Sequence, residues 1–235
     1  MRYSKEAIEK YAAKMKAMID EYIAIGDGLK VCISAGNVKI GRVMNVSTAP
    51  LFACGNCKEC MHYCYDIKAN LQYGNVLKAR ARNYVLAKFH RDEYFRQIRN
   101  ALAKRRKNKF FRWHVAGDIL DMAYLEEMVK IAREFPEFTF WTYTKMYPIV
   151  NSFCKKNGGR DAIPANLSIM FSEWDGMPIY NPYNFGVFSC KLADGNKNHP
   201  AEYFDSLYKC PGNCDICKAA GRGCLINENT YADEH

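Results

Sequence analysis

The spacing of apolar residues divides the chain into helices and strands before any chemistry is considered. Ile8, Met15, Ile19 and Tyr22 fall on one helical face, so a helix is predicted from the capping residue Ser4 to about Ile25, stopped at Gly26-Asp27-Gly28. LKVCIS (29–34) alternates as a strand does. GNVKIGRVMNVSTAPLFA follows as a loop rich in Gly, Asn and Pro. Helical spacing returns from about Val76 to Phe89, and again from Asp92, with Tyr94, Phe95, Ile98 and Leu102 inward.

The centre is the most regular part. FFRWHV (110–115), FTFWTYT (138–144) and NLSIMFS (166–172) read as strands, with FGVFS (185–189) as a fourth candidate. Between the first two, Asp121 caps a helix with Leu125, Met128, Val129 and Ala132 inward, ended by Pro136. Between the next two, Pro148 suits the first turn of a helix that reaches Lys156 and stops at Gly158-Gly159. Strands alternating with helices through short connections imply βαβ units, a parallel sheet and an α/β fold. The expected division is an α/β domain over 1–200 and a cysteine-rich, loop-like segment over 201–235, packed on it and organised by metal.

The 235 residues suffice for a sizeable core. No apolar run is long enough to span a membrane, and the charged start lacks the apolar stretch of a signal peptide. The expectation is a cytoplasmic protein with reduced thiols and no membrane partner. The formal net charge of +9 is concentrated locally: Lys78 to Arg112 holds 13 Lys and Arg against two acids, Asp92 and Glu93. Such a block is either a nucleic-acid contact or a solvated helix face.

Eight of the 11 cysteines lie in two clusters. Cys54, Cys57, Cys60 and Cys64 form C-x2-C-x2-C-x3-C, in a loop over 54–64. Structural zinc prefers two CxxC pairs on a longer spacer. The tight run is closer to the bacterial ferredoxin pattern for a [4Fe–4S] cluster, with Tyr65 where that pattern has Pro. Cys210, Cys214, Cys217 and Cys224 form the second cluster, C-x3-C-x2-C-x6-C, which suits either an iron–sulfur cluster or zinc. Its first three cysteines have the spacing of radical S-adenosylmethionine (SAM) enzymes, although the group follows the sheet. Cys32, Cys154 and Cys190 read as ordinary core cysteines, Cys190 being the one placed to reach a cluster.

Ligands of parallel α/β sheets gather at the carboxyl ends of the strands. Those ends carry His114, Gly117 and Asp118, then Tyr143, Thr144 and Lys145, then Ser172, Glu173 and Asp175. Asp118 serves equally as a turn cap, and His114 as a satisfied core histidine.

FFRWHVAGDILDMAYLEEMVKIAREFPEFTFWTYTK, with GNVKIG upstream and a cysteine run ending in CYD, resembles a phage and mobile-element family known as gene product eighty-eight. The resemblance runs from about Val31 to Cys224. That family is distantly similar to radical SAM proteins, which implies a partial (β/α) barrel. It also implies SAM held by Gly117, Asp118 and Ser172, with His114, Tyr143 and Lys145 as catalytic lining. Ala116-Gly117-Asp118 is similar in place and charge to the Gly-Gly-Glu motif of those proteins. The first cluster departs from their pattern in supplying four thiols, where SAM chemistry needs three and an open iron. Two functions follow: an iron–sulfur enzyme with its own electron donor and an anionic or nucleic-acid substrate, or a metal-stabilised nucleic-acid-binding protein without catalysis. A ferredoxin-like carrier would leave the polar strand ends without a use.

Overall fold

The computed structural model describes residues 2–37 and 40–233; Val38 and Lys39 of the GNVKIG motif lie outside the described residues. Helix α1 spans Lys5–Ile25, with the Ser4 hydroxyl accepting from Ala7 N at 3.3 Å, and buries Ile8, Tyr11, Met15 and Ile19. It packs on α2 (Tyr65–Gln72) and α3 (Gly74–Phe89), which are followed by α4 (Arg91–Lys104). Tyr94, Phe95, Ile98 and Leu102 of α4 are buried, as their spacing predicts.

Seven strands form one parallel sheet: β1 (Met44–Asn45), β2 (Phe110–Arg112), β3 (Thr139–Thr144), β4 (Leu167–Glu173), β5 (Val187–Lys191), β6 (Tyr208–Lys209) and β7 (Thr230–Asp233). Their order is β1-β2-β3-β4-β5-β7-β6, which leaves β1 and β6 as edges. Helix α5 (Met122–Glu134) connects β2 to β3, with Asp121 Oδ1 accepting from Tyr124 N at 2.9 Å, and α6 (Tyr147–Lys156) connects β3 to β4.

The sheet has two apolar faces. Phe111, Phe140, Ile169 and Phe171 meet the helices in the main core. Trp141 and Met170 on the other face join Val43 and Cys224 in a smaller core. Each large apolar side chain buried in this way contributes roughly 1.5–3 kcal/mol.

Three expectations are corrected. LKVCIS is not a strand: only Ser34 pairs, in an isolated antiparallel bridge to Asn45. Side chains take up its backbone groups instead. Asn83 Oδ1 accepts from Cys32 N at 2.8 Å and Asn83 Nδ2 donates to Cys32 O at 2.9 Å. Gln97 does the same for Val31 N and Leu29 O. The strand at 110–115 stops at Arg112, because His114 adopts φ +50° and turns the chain. The C-terminal segment is not loop-like. It supplies β6, β7 and α7 (Cys214–Ala220), and β7 inserts between β5 and β6.

Candidate metal and cofactor site

The loop carrying the first four cysteines is docked over the carboxyl ends of β2, β3 and β4. Tyr65 Oη donates to Val115 O, and Asn56 Nδ2 donates to Lys145 O at 3.3 Å. The Tyr63 and Trp174 rings lie 5.4 Å apart. On the far side, His62 Nδ1 lies 3.1 Å from Tyr3 O, which ties the loop to the start of the chain. Behind Cys64, Asp66 is buried and takes Arg80 in two hydrogen bonds of 3.1 Å, which clamps α2 to α3.

The four thiols are not equivalent. The neighbouring Cys54 and Cys60, together with burial, push the Cys57 thiol up. The neighbouring Cys57 and, after it, the Lys145 ammonium pull Cys60 down. Cys64 packs against the main core, and burial pushes it up to about 12. Cys64 therefore differs from the other three in packing against the core, while it still acts on Lys145 together with Cys54 and Cys60. Among the described residues no group of three or more His, Cys, Asp or Glu side chains is placed to hold a metal ion. The donor type still suits a thiophilic metal or iron–sulfur cluster, since the grouped atoms are all sulfur.

Lys145 is the cation of this site. Burial opposes its charge, but Cys60 and Asp118, then Cys54 and Cys64, outweigh burial and raise its pKa. Its Nζ donates to Ser172 Oγ at 3.2 Å, and Tyr147 Oη donates to the Ser172 carbonyl. Asp118 is buried and raised by desolvation, and its carboxylate holds the backbone in place. It accepts from Ile119 N at 2.7 Å, Thr144 Oγ1 at 2.6 Å and Lys145 N at 2.8 Å. Gly117 has φ +86°, and a Cβ there would lie 1.9 Å from Thr48 Oγ1, a buried atom with no hydrogen-bond partner.

Two of the candidate residues face elsewhere. His114 is buried in the core, with Nδ1 3.0 Å from Thr142 Oγ1 and Nε2 3.1 Å from Tyr124 Oη. Burial, and then the Arg112 charge, lower it to about 3, so it is a neutral hydrogen-bonding group. Tyr143 points to the second sheet face, where its Oη lies 2.7 Å from Cys224 Sγ. Of the strand-end candidates, Gly117, Asp118, Lys145 and Ser172 are brought together with the thiols.

A His–carboxylate pair beside them escapes sequence reasoning. His199 Nε2 lies 2.9 Å from both Glu173 carboxylate oxygens, Ser189 Oγ donates to Glu173 Oε2 at 2.7 Å, and the His199 ring stacks on Tyr203 at 3.7 Å. His199 lies in a loop 26 positions after Glu173, so no local spacing signals the pair.

Five of the 13 basic residues of the block pair with carboxylates within the fold. Arg80 pairs with Asp66, Arg91 with Asp121, Arg96 with Glu93, Arg99 with Glu127 and Glu134, and Lys109 with Glu137. Among the described residues no helix is long and apolar enough to cross a membrane.

No curated protein and no solved structure matches the chain. A family model described as Gene product 88 matches residues 33–184, a span that takes in the cysteine loop and β1 to β4 and leaves out the C-terminal cysteines. With well over half of its length matched, the chain belongs to the phage and mobile-element Gene product 88 family.

Proposed function

We propose that the protein is an iron–sulfur enzyme of radical SAM type, with its parallel sheet curved as a partial barrel and the cluster held in the 54–64 loop. The observation that carries this reading is the grouping of Cys54, Cys57 and Cys60 while Cys64 packs on the core. Three sulfur ligands leave one iron of a [4Fe–4S] cluster open, and four would close it. When bound, the cluster would supply an electron, drawn from an external donor, for reductive cleavage of SAM.

The remaining work belongs to the polypeptide. Asp118 fixes the turn after β2 and the backbone of Lys145 through its hydrogen bonds. That hold directs the Lys145 ammonium to the thiols and to Ser172, where it offsets their negative charge. Gly117 lets the turn pack against Thr48 with no side chain between them. Ser172, Lys145, Glu173 and His199 are the polar groups available to orient a substrate. Binding there would exclude water from a site roofed by the loop and its Tyr63–Trp174 contact.

Anaerobic reconstitution followed by assay for 5′-deoxyadenosine tests the reading. SAM cleavage by the reduced protein is the expected result. A fully loaded, reduced cluster that leaves SAM intact would overturn it. Nucleic-acid binding through 78–112 is the competing reading, with five of its 13 basic residues taken up by intramolecular ion pairs. It requires affinity that falls steeply with salt.

A further inference from the structure

The second cysteine group lies on the sheet face turned away from the main helical core, outside the span of the family match. Cys210 follows β6, Cys214 opens α7, Cys217 lies one turn further along it, and Cys224 lies in the turn before β7. Asn213 caps α7 by accepting from Asp215 N at 2.9 Å, which places Cys214 and Cys217 on one helical side. Ser168 Oγ donates to Cys224 O at 2.5 Å, which pins that turn to β4. Cys214 packs with Cys224 in the smaller core, and Cys217 Sγ would lie 3.6 Å from a Cβ at Gly223, the residue before Cys224, so these thiols share one neighbourhood.

Donors and a cation surround this neighbourhood. Tyr143 Oη lies 2.7 Å from Cys224 Sγ, Thr230 Oγ1 lies 3.6 Å from the same sulfur, and Tyr208 Oη lies 3.9 Å from Cys217 Sγ. Arg112 reaches in from β2 and lies 4.8 Å over the Tyr143 ring. Its Nε is buried without a hydrogen-bond partner. Among the described residues, no ion pair joins Arg112 to a carboxylate. A guanidinium enclosed in this way needs an anion beside it. Four neutral thiols do not provide one. Four thiolates around a thiophilic metal do, because their summed negative charge exceeds that of a divalent ion or a [4Fe–4S] core.

We propose that Cys210, Cys214, Cys217 and Cys224 form a second, closed metal site, with Arg112 as its counter-ion and Tyr143 as a hydrogen-bond donor to its sulfur. Each cysteine binds as a thiolate and releases its proton to solvent. As they stand no three of the thiols are placed to hold a metal ion, and Cys224 is turned to Tyr143 and Thr230, so loading requires their side chains to rotate inward. Zinc and an iron–sulfur cluster share this all-thiolate chemistry. The site is independent of the reading given to the first loop.

The test uses the full chain carrying Cys57→Ala, which disables the first loop. It is exposed anaerobically to zinc alone, or to iron with sulfide and a reductant. About one zinc or about four iron per chain are expected, according to which source the site prefers. Alkylation followed by peptide mapping should find Cys210, Cys214, Cys217 and Cys224 protected only when metal is present. Arg112→Gln should lose metal to a chelator about tenfold more readily, and Arg112→Lys should restore retention. Failure to take up either metal, or equal alkylation of the four thiols with and without it, would overturn the site. Equal retention by Arg112→Gln and the parent would overturn the counter-ion role. Either outcome leaves the first loop untouched.

Discussion

His114 gives a stability test that separates a core histidine from a catalytic one. It is 3% exposed, both ring nitrogens have partners, and its pKa is lowered to about 3 by burial and by Arg112. In the unfolded chain the imidazole titrates near the ordinary value of about 6.5. Between those two values the unfolded state binds a proton that the folded state refuses. Stability from this group is therefore fully present above about pH 6.5 and is lost as the pH falls toward about 3. From pH 7 to pH 5 the loss comes to about 2 kcal/mol, obtained by weighing the protonated fraction of the unfolded chain. His114→Asn removes the titrating group and suits the positive φ at this position. Urea unfolding of the native and variant chains at both pH values measures the difference. The variant is expected to be less stable at pH 7, through lost packing and hydrogen bonds, but to lose about 2 kcal/mol less than the native chain on acidification. Equal losses in the two proteins would refute the reasoning and return His114 to the list of accessible, titrating groups.

Two further changes probe the frame of the site. Asp66→Ala leaves Arg80 without its partner behind the cysteine loop, and urea unfolding should show a loss of about 3–5 kcal/mol. Asp66→Leu combined with Arg80→Met should recover most of that loss, since a well-packed apolar pair costs little in place of a buried ion pair. Gly117→Ala should destabilise by about 1–3 kcal/mol through its clash with Thr48. Adding Thr48→Ala should restore part of it, the remainder being the cost of φ +86°.

Helices with an apolar face and a cap were legible in the sequence, because those signals are local. α1, α4 and α5 follow the predicted faces, α6 follows the predicted span, and Ser4 and Asp121 cap as expected. β3 and β4 were legible as continuous apolar runs in a buried parallel sheet. LKVCIS misled because alternation reports which residues are apolar, not which backbone groups find a partner. Asn83 and Gln97, more than 50 positions away, supply those partners. β1, β6 and β7 are two to four residues long, and adjacent strands rather than their own sequence define them. The thiol spacing raises the expectation of metal chemistry, but that Cys64 packs against the main core is set by the tertiary fold. The Glu173–His199 pair and the isolation of Arg112 depend in the same way on the tertiary fold.

The division of labour within the 54–64 loop is the centre of the account, and the iron and sulfide bound by single cysteine variants after anaerobic reconstitution test it most directly. Cys64→Ala is predicted to hold as much iron and sulfide as the native chain, while Cys57→Ala loses about four of each. Equal loss in Cys64→Ala and Cys57→Ala would mean a cluster closed by four thiolates with no iron open to a substrate, and would contradict the account.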